Sequence, residues 1–87
     1  MNIRDLKGLG PKSEKNLAKV GITSVEEFMK SDPYDLYQRL VAEVKGINRN
    51  FIYAIIGAQE NTHWQDIARE RRTEILLRLD DIGLAPK

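Results

Sequence analysis

Residues 51–58 read Phe51-Ile52-Tyr53-Ala54-Ile55-Ile56-Gly57-Ala58, apolar almost all the way round. A run this short fits a buried strand as well as a buried helix, because periodicity alone does not separate the two. The rest of the chain decides. No other segment carries strand signals, and a lone strand has nothing to pair with. Asn48 can cap a helix that starts just after it, and Ala54 and Ala58 suit close helix packing. The segment therefore reads as a helix, and a helix apolar on all sides belongs at the centre, covered by the others.

Outward from that centre the signals are helical throughout. Asp32-Pro33 reads as an N-cap and a helix start, with Asp35 in the first turn and Leu36, Leu40, Val41 and Val44 on one face. Ser24 and Glu27 form a capping-box pattern that opens a short helix through Met29, with Val25 and Phe28 inward. Pro11 suits the first position of a helix that runs to about Val20 and is ended by Gly21. Ile3 and Leu6 suggest a short first helix stopped by Gly8. Beyond the loop at Asn61-Thr62, one last helix is expected from about Arg69 to Ile82, with Ile75, Leu76, Leu79 and Ile82 facing in and Gly83 closing it. The expected fold is all-α with about six helices in a single domain over residues 1–83, followed by a short flexible tail, 84–87.

At 87 residues the chain has room for one such domain and little more. It has no cysteine and one histidine, which argues against disulfide frameworks, thiolate metal clusters and most thiol- or metalloenzyme readings. No secretory h-region follows Met1, and the uncharged stretch Asn50 to Gln59 is far below the ~20 residues that span a bilayer. A cytoplasmic protein without membrane contact is expected. The formal net charge is only +1, so any polyanionic partner has to be argued from how the charge is distributed.

A shift of 38 residues reveals an internal repeat: Leu6-Lys7-Gly8-Leu9-Gly10 lies over Val44-Lys45-Gly46-Ile47-Asn48, and Leu17-Ala18 over Ile55-Ile56. Each copy runs from a helix end through an apolar residue, a lysine and a glycine, then an apolar residue and Gly or Asn, into a new helix. This is the sequence shape of a tandem helix-hairpin-helix-like (SAM-like) bundle. Such a turn lets backbone approach a phosphate while the next helix offers its unpaired N–H groups. In the first copy the contact residues would be Lys7, Gly8, Leu9, Gly10, Lys12 and Ser13, with Lys15 and Lys19 extending a lysine stripe along the helix. In the second they would be Lys45, Gly46, Asn48 and Arg49. Residues 1–19 carry a net +3, 20–35 −3, 36–59 +2 and 60–87 −1, so the two positive blocks are the two hairpins. Two features count against phosphate contact at the first copy: Pro11 lacks an N–H, and Glu14 brings a carboxylate close to the turn. The same hairpins also occur where they only pack helices together, and lysines on one helix face are commonly just solvated.

His63-Trp64 contains the sole tryptophan. Trp64 either anchors its loop on the core, with His63 hydrogen-bonding locally, or presents a stacking surface. In Arg69-Glu70-Arg71-Arg72, three arginines at an expected helix start oppose the helix dipole. Ion pairs from Asp66 to Arg69 and from Glu74 to Arg78 would make them an ordinary surface network, and an acidic or nucleic-acid partner is the other reading.

Taken in order, Leu9-Gly10-Pro11-Lys12-Ser13-Glu14, Leu17-Ala18, Val20-Gly21-Ile22-Thr23, Gly46-Ile47-Asn48, Tyr53-Ala54-Ile55, Gly57-Ala58 and His63-Trp64 resemble the C-terminal domain of the TfoX/Sxy family of bacterial competence regulators. The resemblance extends from Leu6 to about Leu79. It implies an all-α helix-hairpin-helix-like module in a regulatory setting, natural transformation or transcription, without enzymatic activity. Full-length members carry an N-terminal domain ahead of this one. Here Met1 stands three residues before Arg4, so the resemblance implies a stand-alone copy. Two functions stay open: a non-catalytic module on the backbone of double-stranded DNA, or a protein-interaction module, homodimer or adaptor, without nucleic acid. No cofactor, metal or small-molecule substrate is implied by either.

Overall fold

The Asn48 side-chain oxygen accepts the Asn50 N–H at 2.9 Å, just ahead of the N-cap Arg49, which makes no side-chain cap bond, and the segment that follows is a helix. In this computed structural model, which describes residues 2–84, a 3-10 turn at Ile3–Asp5 precedes six α-helices. These are α1 (Pro11–Lys19), α2 (Val25–Lys30), α3 (Pro33–Glu43), α4 (Asn50–Glu60), α5 (Trp64–Glu70) and α6 (Arg72–Asp81). There is no strand among the described residues, so the domain is all-α. Among the described residues no helix is long and apolar enough to cross a membrane.

α4 is the centre of the bundle. Ile52, Tyr53, Ile55, Ile56, Gly57 and Ala58 are all buried, and the helix packs against α3 on one side and α5 on another. α1 joins the 3-10 turn to α3, and α6 lies against α5. At six residues α2 is too short to persist alone. It is held by Phe28, fully buried, and by the Gln59 side chain of α4, whose Nε2 donates to the carbonyls of Phe28 at 2.9 Å and Ser31 at 2.8 Å.

The start signals act as their chemistry demands. The Asp32 carboxylate accepts the N–H groups of Tyr34 and Asp35, and Ser24 Oγ accepts that of Glu27 at 3.1 Å. On α3 the buried arc runs through Leu36, Tyr37, Leu40 and Val44, whereas Val41, expected inside, is 38% exposed. At ~100° per residue Val41 lies a quarter-turn from the middle of that arc. α1 closes on a Schellman motif in which the Ile22 N–H donates to Leu17 and the Gly21 N–H to Ala18, with Ile22 buried behind it.

Two segments differ from the sequence expectation. The first hairpin is led by a single 3-10 turn ending at Asp5, whereas the second is led by the eleven residues of α3, so the repeat holds at the turns and fails in the elements ahead of them. The expected last helix from Arg69 is two helices. Trp64, Ile67 and Ala68, spaced i, i+3, i+4, form the inner face of α5, and the chain breaks at Arg71 (φ −121°, ψ 15°) before α6 begins. Ile75 and Leu79 are fully buried, but Ile82 lies past the end of α6 and is 37% exposed. Leu84 packs on the core in its stead, with its N–H donating to Leu79 at 2.7 Å. Residues 85–87 of the expected tail lie outside the described residues.

Candidate functional site

Gly8 and Gly46 both have φ +83°, a conformation that glycine adopts without the cost a side chain brings. Leu9 and Ile47 then fold back onto the core. The two turns thus share one backbone conformation, but the helix starts behind them are capped differently. α1 is N-capped by Gly10, which has no side chain to offer, so the first-turn N–H groups of Lys12 and Ser13 are left for an outside acceptor. α4 supplies its own acceptor in Asn48. The first turn is therefore open to an anion, and the second is largely closed by its own hydrogen bonds, with the Asn50 N–H on the Asn48 side chain and those of Phe51 and Ile52 on the Asn48 and Arg49 carbonyls.

Charge around the first turn is freer than the sequence suggests. Glu14 does not face the turn as an unpaired carboxylate. It accepts from Arg4, at 3.2 Å from the backbone N–H, 3.1 Å from Nε and 2.8 Å from a terminal guanidinium nitrogen. The Arg4 hydrogen bonds hold the Glu14 carboxyl below its ordinary value of 4.5, so it stays charged and paired. Lys7, Lys12 and Lys15 are exposed, as is Lys19 at the far end of α1, and none is in an ion pair among the described residues. Ser13, next to Lys12, is half-buried. Lys19 instead borders a groove of about 410 Å³ with Arg39 and Glu43. There Arg39 donates to the Val20 carbonyl at the end of α1.

At the second hairpin Lys45 and Gly46 are exposed, while Arg49 is half-buried and has no carboxylate partner among the described residues. Burial pushes the neighbouring Tyr37 phenol up, with the Arg49 charge opposing it. The element that relates the two turns is α5. A Cβ on Gly8 would stand 3.9 Å from Trp64 Cδ1, and Trp64 also lines a groove with Arg49. Sequence reasoning missed this link. The i, i+3, i+4 spacing of Trp64, Ile67 and Ala68 was the available signal for α5, and nothing in the sequence relates Trp64 to Gly8.

His63 takes the local role. Its Nδ1 accepts the Gln65 N–H at 3.1 Å as the cap of α5, and its ring stacks on Trp64 with centroids 6.0 Å apart. The arginine run also finds its partners. Arg69 sits in the last turn of α5, where the dipole favours a cation, and pairs with Asp66 at 2.6 Å. Arg71 pairs with Glu60 at 2.6 Å and lies 3.7 Å from Glu74. The expected Glu74–Arg78 pair does not form. Arg78 lies over the Tyr34 ring, 4.5 Å from its centroid. Arg72, at the first position of α6, is left without an ion-pair partner among the described residues.

The sequence matches the family model of the TfoX C-terminal domain over residues 1–79. The chain belongs to the TfoX C-terminal domain family. Family membership makes it a module of the competence-regulator type, regulatory in kind. This TfoX C-terminal domain is also similar to a solved structure, an uncharacterized protein from Listeria monocytogenes, at 19% identity and a TM-score of 0.81, with both chains covered in full. At that identity the likeness shows a shared fold. No curated protein matches the sequence. Among the described residues the domain has no group of three or more His, Asp or Glu side chains able to hold a metal ion.

Proposed function

We propose that this TfoX C-terminal domain is a non-catalytic helix-hairpin-helix-type module that binds the backbone of duplex DNA through its first hairpin. The observation that carries this reading is the uncapped start of α1, set on an exposed glycine turn among lysines that are unpaired among the described residues. A phosphate oxygen at the turn would accept the N–H groups of Lys12 and Ser13 and the Ser13 hydroxyl. Gly8 and Gly10 keep the backbone bare, and Lys7, Lys12 and Lys15 supply charge around it. The Arg4–Glu14 pair supports the reading by neutralising the carboxylate that would otherwise repel the phosphate. Contacts of this kind position a protein on a duplex and carry little base information. The second hairpin contributes Lys45 and Arg49 as charge, with Asn48 spent on its own helix.

Fluorescence anisotropy of a labelled short duplex across a salt series tests the proposal. Each phosphate contact contributes about 0.9 to the slope of log K against log salt, so the Lys12→Glu, Lys15→Glu double variant is expected to lower that slope by about two contacts' worth and, through the reversed charge, to lose most of the binding. Undiminished binding by the double variant, or no binding by the unaltered protein at low salt, would leave the protein-interaction reading.

A further inference from the structure

Two arginines that pair with no carboxylate among the described residues converge with a third on one groove. Arg49 from the start of α4, Arg69 from the end of α5 and Arg72 from the start of α6 line a depression of about 340 Å³ together with Tyr53, Trp64 and Gln65. No Asp or Glu among the described residues lines it. Asp66 holds Arg69 from outside at 2.6 Å, while Arg49 and Arg72 are unpaired among the described residues. Tyr53 is 3% exposed, and its hydroxyl is buried with no hydrogen-bond partner among the described residues, although buried polar groups are ordinarily satisfied. Three guanidiniums with no lining carboxylate among the described residues describe a site suited to an anion.

From this arrangement we infer that the groove between α4, α5 and α6 is a second phosphate-binding site, with Arg49 and Arg72 as forked donors and Arg69 as a supporting charge. A phosphate fits better than a carboxylate. It carries more charge and more acceptor oxygens, enough to engage two guanidinium forks at once, where a single carboxylate is filled by one. The indole that lines the groove also abuts Gly8 of the first hairpin, so the two sites are neighbours across Trp64. That the phosphate belongs to a nucleic-acid backbone rests on the proposed reading of the first hairpin. That the groove binds phosphate does not.

Trp64 is the sole tryptophan, so its emission reports on the groove without a label. Titration with inorganic phosphate, pyrophosphate and a short duplex is expected to change that emission. The Arg49→Gln, Arg72→Gln double variant should abolish the change and lower the salt slope for the duplex by about two contacts' worth. The two readings fail separately. Duplex binding by anisotropy with silent Trp64 emission, and a slope indifferent to the arginine variant, would overturn the groove and leave the hairpin. Phosphate-dependent emission retained in the Lys12→Glu, Lys15→Glu variant, with undiminished duplex binding, would overturn the hairpin and leave the groove. Polyglutamate acting as well as pyrophosphate at equal charge would overturn the phosphate assignment.

Discussion

Gly57 shows how much one missing side chain decides. Alanine in place of glycine inside a helix ordinarily gains about 1 kcal/mol. At Gly57 a Cβ would stand 2.5 Å from the Thr62 carbonyl oxygen and 3.3 Å from the Trp64 backbone nitrogen, both main-chain atoms that cannot swing aside. The absence of that Cβ lets the chain turn back after α4, with the Thr62 N–H donating to the Gly57 carbonyl at 2.8 Å. Gly57→Ala is therefore expected to destabilise the domain by about 1–3 kcal/mol in urea denaturation and to shift Trp64 emission. A gain in stability would contradict the close approach. Glu14 allows a prediction of another kind at this scale. Its folded pKa is lowered by the Arg4 hydrogen bonds, so its contribution is present above the unfolded value and is lost as the pH falls through the lower folded one. Glu14→Gln should thus reduce the loss of thermal midpoint on acidification below about pH 4.5 and change little at neutral pH, because the pair is solvent-accessible and screened.

Among the elements, those that announce themselves chemically were legible. α1 and α3 open on proline, α2 and α3 on a capping side chain, and α4 on Asn48, and all four lie where their sequences put them. α5 has no such mark. Its cap is the ring of His63 rather than a preferred small polar residue, and it is only seven residues long. It runs into α6 through an arginine bonded to Glu60, a residue of another helix. No glycine or proline marks the break at Arg71, which is why the arginine run read as one helix start. The same reasoning about caps separates the two hairpins experimentally. A Cβ on Gly10 meets nothing within 4 Å, and its backbone is extended, so Gly10→Asn can reproduce the Asn48 cap at α1. Stability should rise by a few tenths of a kcal/mol. Duplex affinity should fall, because the new side chain occupies the N–H groups that the phosphate requires. Asn48→Ala should cost about 1 kcal/mol of stability without loss of duplex affinity, since it frees the Asn50 N–H beside Lys45 and Arg49. Tighter duplex binding by Gly10→Asn would remove the α1 N–H groups from the interface.

For the whole molecule, a net charge of +1 says little until the chain is folded. The positive blocks 1–19 and 36–59 were visible in the sequence, but their relation was not, because it depends on Trp64 reaching Gly8 from a helix whose existence was itself hidden. Folding sets the Arg49 groove beside the first turn, while Glu26, Glu27, Asp32 and Asp35 belong to α2 and the start of α3. A small basic face on a nearly neutral molecule has a definite consequence. With few phosphate contacts and no long-range excess charge, affinity should be modest and decline with salt at a slope set by that small number of contacts, about 0.9 for each. Because the proposed contacts are main-chain N–H groups, lysines and arginines on phosphate, base identity has no means of entering. Two duplexes of equal length and unrelated sequence should therefore bind within about threefold of each other, whereas direct base readout separates sites by ~10³-fold or more. The comparison is made by competition anisotropy at low salt. A large preference between the two duplexes would mean that side chains outside the hairpin and groove reach base edges, and the backbone-only mode would be wrong.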